Sequence, residues 1–107
     1  MKRVLFLCSR NRLRSPTAEA IFSDFAGVEV DSAGLAPDAE VVLSLETIHW
    51  AEIIFVMEKA HRIRLKRRFG NHLSGKRVIC LDIGDGYDYM DSRLVKLLEA
   101  RVTPHLR

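Results

Sequence analysis

The stretch Val4-Leu5-Phe6-Leu7-Cys8-Ser9-Arg10-Asn11-Arg12-Leu13-Arg14-Ser15-Pro16 joins a strand pattern to a helix start. Val4 to Leu7 is a short unbroken apolar run, as expected of a parallel strand buried on both faces. Ser15 can cap a helix, and Pro16 suits a first helical position, where no intrahelical partner awaits an N–H. Ala18, Ile21, Phe22 and Phe25 then recur at helical spacing, and Gly27 ends the run. Between strand and helix lie a cysteine, five residues, an arginine and a hydroxyl residue. The N–H groups from Ser9 to Ser15 can curve around an anion, with the positive end of the helix behind them. Arg14 can grip two phosphate oxygens through its planar fork. The same field favours the thiolate of Cys8, the form that attacks, and Ser15 can donate a hydrogen bond to its sulfur.

The rest of the chain alternates strand and helix patterns. Val28 to Val30 reads as a second strand, with Ser32-Ala33-Gly34 turning away from it. Asp38 is placed to cap a helix carrying Val41, Val42, Leu45, Ile48 and Trp50. Ile53 to Met57 reads as a third strand, Lys59 to Phe69 as a basic helix closed by Gly70-Asn71, and Val78 to Ile83 as a fourth strand. Gly84-Asp85-Gly86 is a turn, Met90 or Asp91 starts a last helix, and Pro104 stops it. The expected fold class is α/β: three layers, a four-stranded parallel sheet and flanking helices. Right-handed crossovers place the loops after strands one, three and four near the carboxyl edge.

A length of 107 residues fits one domain spanning residues 1–107. Hydrophobic content of 48% and charged content of 29% are those of a globular chain, and a net charge of +3 weakly favours anionic partners. Two cysteines make no disulfide framework, which fits a reducing compartment. No secretory signal and no apolar run able to span a bilayer is legible, so the expected location is cytoplasmic, without a membrane partner. His49, His61, His72 and His105 lack zinc-site spacing, so no metal is expected.

Asp85 is a candidate acid on its position alone. It lies in a glycine-flanked loop after strand four, on the edge where Cys8 emerges, and loss of an ester oxygen is eased by a donated proton. Asp82, Asp88 and Asp91 are reserves, although Asp91 suits the cap of the last helix.

Four segments, VLFLCSRNRLRSPTAEAIF from Val4, DSAG from Asp31, IIFVME from Ile53 and LDIGDGYDY from Leu81, together resemble the low-molecular-weight protein tyrosine phosphatases and their arsenate-reductase relatives. More narrowly, the chain looks like a short bacterial branch of predicted tyrosine phosphatases. The resemblance implies strand order 2-1-3-4. It implies Cys8 as nucleophile, Arg14 as phosphate ligand and Asp85 as the acid. It further implies that Ser9, Arg10, Asn11, Arg12, Leu13 and Ser15 surround the substrate, that Tyr87 lines the pocket mouth, and that Asn11, Ser15 and Ser32 brace the loop. No cofactor is implied. The chain departs from the family pattern at Gly86 (usually proline), Arg10 (commonly glycine) and Leu13 (often a second cysteine). It is also shorter between strands two and three.

The function expected is hydrolysis of a phosphate monoester, phosphotyrosine or another aryl phosphate, through a cysteinyl-phosphate. The partner is then a phosphorylated protein or a small anionic phosphate ester. One alternative is a thiol-dependent arsenate reductase, for which Cys80 is the only other cysteine. The other is a catalytically weak phosphate- or nucleic-acid-binding module, for which Lys59, Arg62, Arg64, Lys66, Arg67 and Arg68 offer a basic helix able to meet nucleic acid or an acidic protein.

Overall fold

A computed structural model describes all 107 residues. Strands β1 (Lys2–Cys8), β2 (Val28–Gly34), β3 (Ile53–Val56) and β4 (Arg77–Cys80) form one sheet in the order β2-β1-β3-β4. Every neighbouring pair is parallel. Helices α1 (Arg14–Phe22), α2 (Leu45–Trp50), α3 (Lys59–Phe69) and α4 (Ser92–Leu106) flank it.

Strand alternation divides the core into two layers. Val4, Phe6 and Cys8 of β1 point to the same side as Phe55 and Met57, where they meet Ala18 and Phe22 of α1 and Leu94, Leu98 and Val102 of α4. Phe6 stacks between Phe22 and Phe55, with ring centroids 5.8 and 5.3 Å away. Leu5 and Leu7 point the other way, with Ile54 and Val56, against Ile48 of α2 and Leu65 of α3. A strand buried on both faces has no polar side to show, and this is why Val4 to Leu7 is apolar without interruption.

Several element boundaries differ from expectation. Strand β2 runs on through Ser32, Ala33 and Gly34, which pair with Phe6, Leu7 and Cys8 instead of turning away. Helix α1 ends at Phe22, before Phe25 and Gly27. Ser15 is not its cap: it lies inside the helix, and its hydroxyl is spent on Cys8. Asp38 caps no helix either. Residues 35–44 bond back to β2 through Gly34 N–H to Val41 O and Leu43 N–H to Gly34 O, and Ser44 caps α2.

Strand β4 ends at Cys80 because Asp82 takes a left-handed backbone (φ 54°). Leu81 and Ile83 still donate to Val56 O and Met57 O, so the chain continues past the end of β3 toward the site. Asp91 caps α4, accepting from Arg93 N–H. Pro104 lies inside the last turn of α4 instead of ending it, and its missing N–H forgoes one intrahelical bond near a terminus.

Candidate active site

Cys8 is the last residue of β1, and its sulfur is wrapped by the loop that follows. Asn11 N–H donates to Cys8 Sγ at 3.2 Å, and Ser15 Oγ lies 2.9 Å from the same sulfur. The tight turn needs a left-handed residue, which Asn11 supplies at φ 57°, a conformation asparagine tolerates better than most side chains.

The side chain of Asn11 organises what lies behind. Its Nδ2 donates to Ser15 Oγ at 3.0 Å and to Ser32 Oγ at 2.9 Å. Ser32 in turn donates to the Glu19 carboxylate. This chain has a direction. With the Ser32 hydroxyl donating to the Glu19 carboxyl oxygen, a Ser32 lone pair receives Asn11. Ser15 accepts from Asn11 through one lone pair, which leaves its hydroxyl able to donate to a Cys8 thiolate. The four groups form one connected network behind the sulfur.

The segment after β2 supports the loop from the side. Leu35, Ala36 and Glu40 donate their N–H groups to the carbonyls of Cys8, Ser9 and Arg10. This contact demands a glycine at position 34. A Cβ there would stand 2.7 Å from Ser9 O and 3.0 Å from Arg10 C, both backbone atoms that cannot swing aside.

Arg14 is buried and oriented through one nitrogen. Nη1 donates to Glu58 Oε2 at 2.5 Å and to Ile83 O at 2.8 Å, while Nη2 and Nε have no protein acceptor. Glu58 is itself clamped. It is the N-cap of α3, its carboxylate accepts from the His61 backbone, and its own N–H donates to His61 Nδ1 at 3.1 Å. Burial and the nearby Arg14 guanidinium hold the His61 imidazole below its ordinary titration range.

A cleft of about 480 Å³ opens above the sulfur. Cys8, Ser9, Arg10, Arg12, Leu13 and Arg14 line it, as does Asp85 from the β4–α4 loop. Asn11, Ser15 and Ser32 lie behind it in the bracing network. Arg10 has no positive φ, so this backbone accepts a side chain where relatives commonly have glycine. Tyr87 does not line the cleft: it packs on the core beneath Arg93, whose guanidinium stands 5.4 Å from the ring centroid.

The other sequence candidates sit elsewhere. Cys80 lines a separate cleft with Asp82, Arg101 and His105. On α3, Arg62 and Arg68 donate to the carbonyls of Val78 and Leu35, and none of the six cations of this helix pairs with an acid. No helix is long and apolar enough to cross a membrane.

Glu19, Glu58, His61 and Thr17 escape the sequence reading. Glu19 follows Ser15 by four residues, so the two share a helix face, a spacing that could have pointed to it. Glu58 and His61 show the spacing of a capping box, which reveals a cap but not an arginine from another element. Thr17 accepts from Met90 N–H at 3.0 Å and donates to Leu13 O at 2.6 Å, tying the stretch that follows Asp85 to α1.

A buried cysteine at the end of a parallel strand, contacted by the Asn11 N–H and sharing one cleft with Arg14, is an arrangement suited to cysteine-based phosphatase or reductase chemistry. More specifically, residues 3–41 match the family model described as low molecular weight phosphotyrosine protein phosphatase. No curated protein sequence matches the chain. Among solved structures, an arginine phosphatase (YwlE) from Geobacillus stearothermophilus superposes with a TM-score of 0.76 at 24% identity, covering 99% of this chain and 93% of that one. Wzb of Vibrio vulnificus, in complex with benzylphosphonate, gives 0.78 at 20% identity, with coverage of 97% and 96%. A low molecular weight protein tyrosine phosphatase from Streptococcus pyogenes gives 0.76 at 15% identity, with coverage of 99% and 91%. At these identities the superpositions establish the fold. The chain therefore carries the amino-terminal signature of the low molecular weight phosphatases on the fold of that family.

Proposed function

We propose that this protein hydrolyses phosphate monoesters, with an aryl ester such as phosphotyrosine as substrate. The observation that carries the reading is the meeting of Cys8, Arg14 and Asp85 in one cleft, with Ser15 Oγ 2.9 Å from the sulfur. The free Nη2 and Nε edge of Arg14 and the loop N–H groups receive the phosphoryl oxygens. The Cys8 thiolate attacks phosphorus. An S–P bond forms as the ester P–O bond breaks, and Asp85 gives its proton to the departing oxygen. The Asp85 carboxylate then takes a proton from water as that water attacks phosphorus. The S–P bond breaks, inorganic phosphate leaves, and the returning thiolate accepts the Ser15 hydrogen bond.

Benzylphosphonate in the Vibrio vulnificus neighbour is an aromatic phosphonate, in keeping with an aryl substrate. A phosphoarginine substrate, suggested by the Geobacillus neighbour, would bring a cationic leaving group beside Arg10 and Arg12 in the cleft, so the aryl ester is favoured.

Steady-state hydrolysis of p-nitrophenyl phosphate by the reduced protein tests the reading, with Cys8→Ser and Asp85→Ala alongside and phosphoarginine as the competing substrate. Turnover abolished by Cys8→Ser and lowered roughly 10²-fold or more by Asp85→Ala is expected. Turnover no higher than that of Cys8→Ser would overturn it.

A further inference from the structure

Two arginines of the cleft have no task in holding the transferred phosphate. Arg14 and the loop N–H groups suffice for its oxygens, yet Arg10 and Arg12 also line the cavity. Each faces one carboxylate of the β2–α2 connection. Arg10 Nη1 is 3.7 Å from Asp38 Oδ2, and Arg12 Nε is 3.4 Å from Glu40 Oε1. Neither contact closes into a hydrogen bond, and all four side chains are at least half exposed.

The pairing is built in by the backbone. Glu40 N–H donates to Arg10 O at 3.0 Å and Ala36 N–H to Ser9 O at 2.8 Å, so the connection is stitched to the phosphate loop with its two acids beside the two arginines. Loose, exposed ion pairs of this kind contribute little to stability and exchange readily with another anion. A guanidinium fork fits a carboxylate with two parallel hydrogen bonds, a better contact than either arginine now makes.

We propose that Arg10 and Arg12 select substrates carrying carboxylates beside the phosphoester, namely phosphotyrosyl segments flanked by Asp or Glu, which displace Asp38 and Glu40 from the two arginines. The inference rests on the phosphatase reading above and adds the substrate class. A nucleotide is disfavoured because no aromatic side chain lines the cleft to stack a base, Tyr87 being packed on the core. Asp38 and Glu40 also act as a filter: a substrate without acidic flanks leaves their pairs in place and gains nothing from the two arginines.

The experiment compares two phosphotyrosyl peptides of equal length, one with Glu and one with Gln on either side, and p-nitrophenyl phosphate as a substrate without flanks. The kcat/KM ratio of the Glu to the Gln peptide is expected to be roughly three- to tenfold at low ionic strength, falling toward one at about 0.5 M salt. The double variant Arg10→Ala/Arg12→Ala brings the ratio to about one, and Asp38→Asn/Glu40→Gln raises it by freeing the arginines. A wild-type ratio of one or less, or a ratio unmoved in the arginine variant, overturns the proposal. Binding of the same peptides to Cys8→Ser reads selectivity without turnover. Failure on all three substrates would therefore count against the phosphatase reading, while the ratio of Kd values would still decide this one.

Discussion

Arg14 Nη1 bonds Glu58 Oε2 at 2.5 Å, and the same nitrogen bonds Ile83 O, so an acid and a carbonyl from two other elements aim one guanidinium. The arginine side chain is 7% exposed and the glutamate 42%. The glutamate therefore compensates a buried charge while keeping contact with solvent. Because both bonds fall on Nη1, the forked edge stays available for an oxyanion.

Glu58→Gln is expected to keep a hydrogen-bonding group but lose the counter-charge. The buried guanidinium is then under-compensated, costing about 1–3 kcal/mol of stability. A less firmly aimed Arg14 lowers kcat/KM by roughly tenfold or more. Urea unfolding and aryl phosphate kinetics check the two effects, and an unchanged kcat/KM would deny Glu58 its orienting role.

Thr17 links the loop of Asp85 to the helix behind Cys8. Its hydroxyl is fully buried between Met90 N–H and Leu13 O, and Met90 is held at φ 61°, a backbone state costly for methionine. Thr17→Val keeps the shape and removes both bonds. We expect a stability loss of about 1–2 kcal/mol and a fall in kcat larger than any change in KM. An equal fall with a substrate whose leaving group needs no proton would show that the damage lies elsewhere than at Asp85.

Gly34→Ala is expected to be disruptive because the new methyl meets Ser9 O at 2.7 Å. The phosphate loop must shift by several tenths of an ångström. Overpacking of this kind costs about 1–3 kcal/mol, and vanadate or phosphate affinity should fall in parallel. Wild-type affinity in this variant would mean that the β2–α2 connection does not support the loop.

His61 supplies a pH dependence. Its folded-state titration is depressed, chiefly by burial and then by Arg14, with Glu58 opposing and Arg64 adding to the depression. An unfolded His61 binds its proton near pH ~6.5, whereas the folded one resists until lower pH. Its contribution to stability is thus full above the unfolded value and is lost as pH falls through the folded one. Denaturation midpoints measured from about pH 7.5 down to about pH 5 should decline less steeply in His61→Asn than in wild type. Parallel curves would exclude His61 as a source of the acid sensitivity.

The fold was legible where a local pattern and its tertiary partner agree. Lys59–Phe69 is legible to its ends because its basic run and its closing Gly70 are local signals. Residues 40–44 depart from expectation because Val41 and Val42 look like a helix face, yet in the structure they stand exposed while their backbone bonds to Gly34. Ser15 shows the same conflict at one atom: a serine before a proline resembles a cap, but a sulfur seven residues earlier claims its hydroxyl.

The sequence by itself determined the nucleophile loop, since Cys8 and Arg14 are separated by a fixed number of residues between a strand and a helix that each announce themselves locally. It also determined the alternating order that makes a parallel sheet. Tertiary structure alone decided which partners brace those residues. Glu58 reaches Arg14 across 44 positions and Glu19 meets Ser32 across 13, whereas Asp85 was legible from its loop and enters the cleft because β4 lies beside β3. Periodicity reports which face of an element is buried. It carries no information on which polar side chain from another element will meet it, because that is set by how whole strands and helices pack.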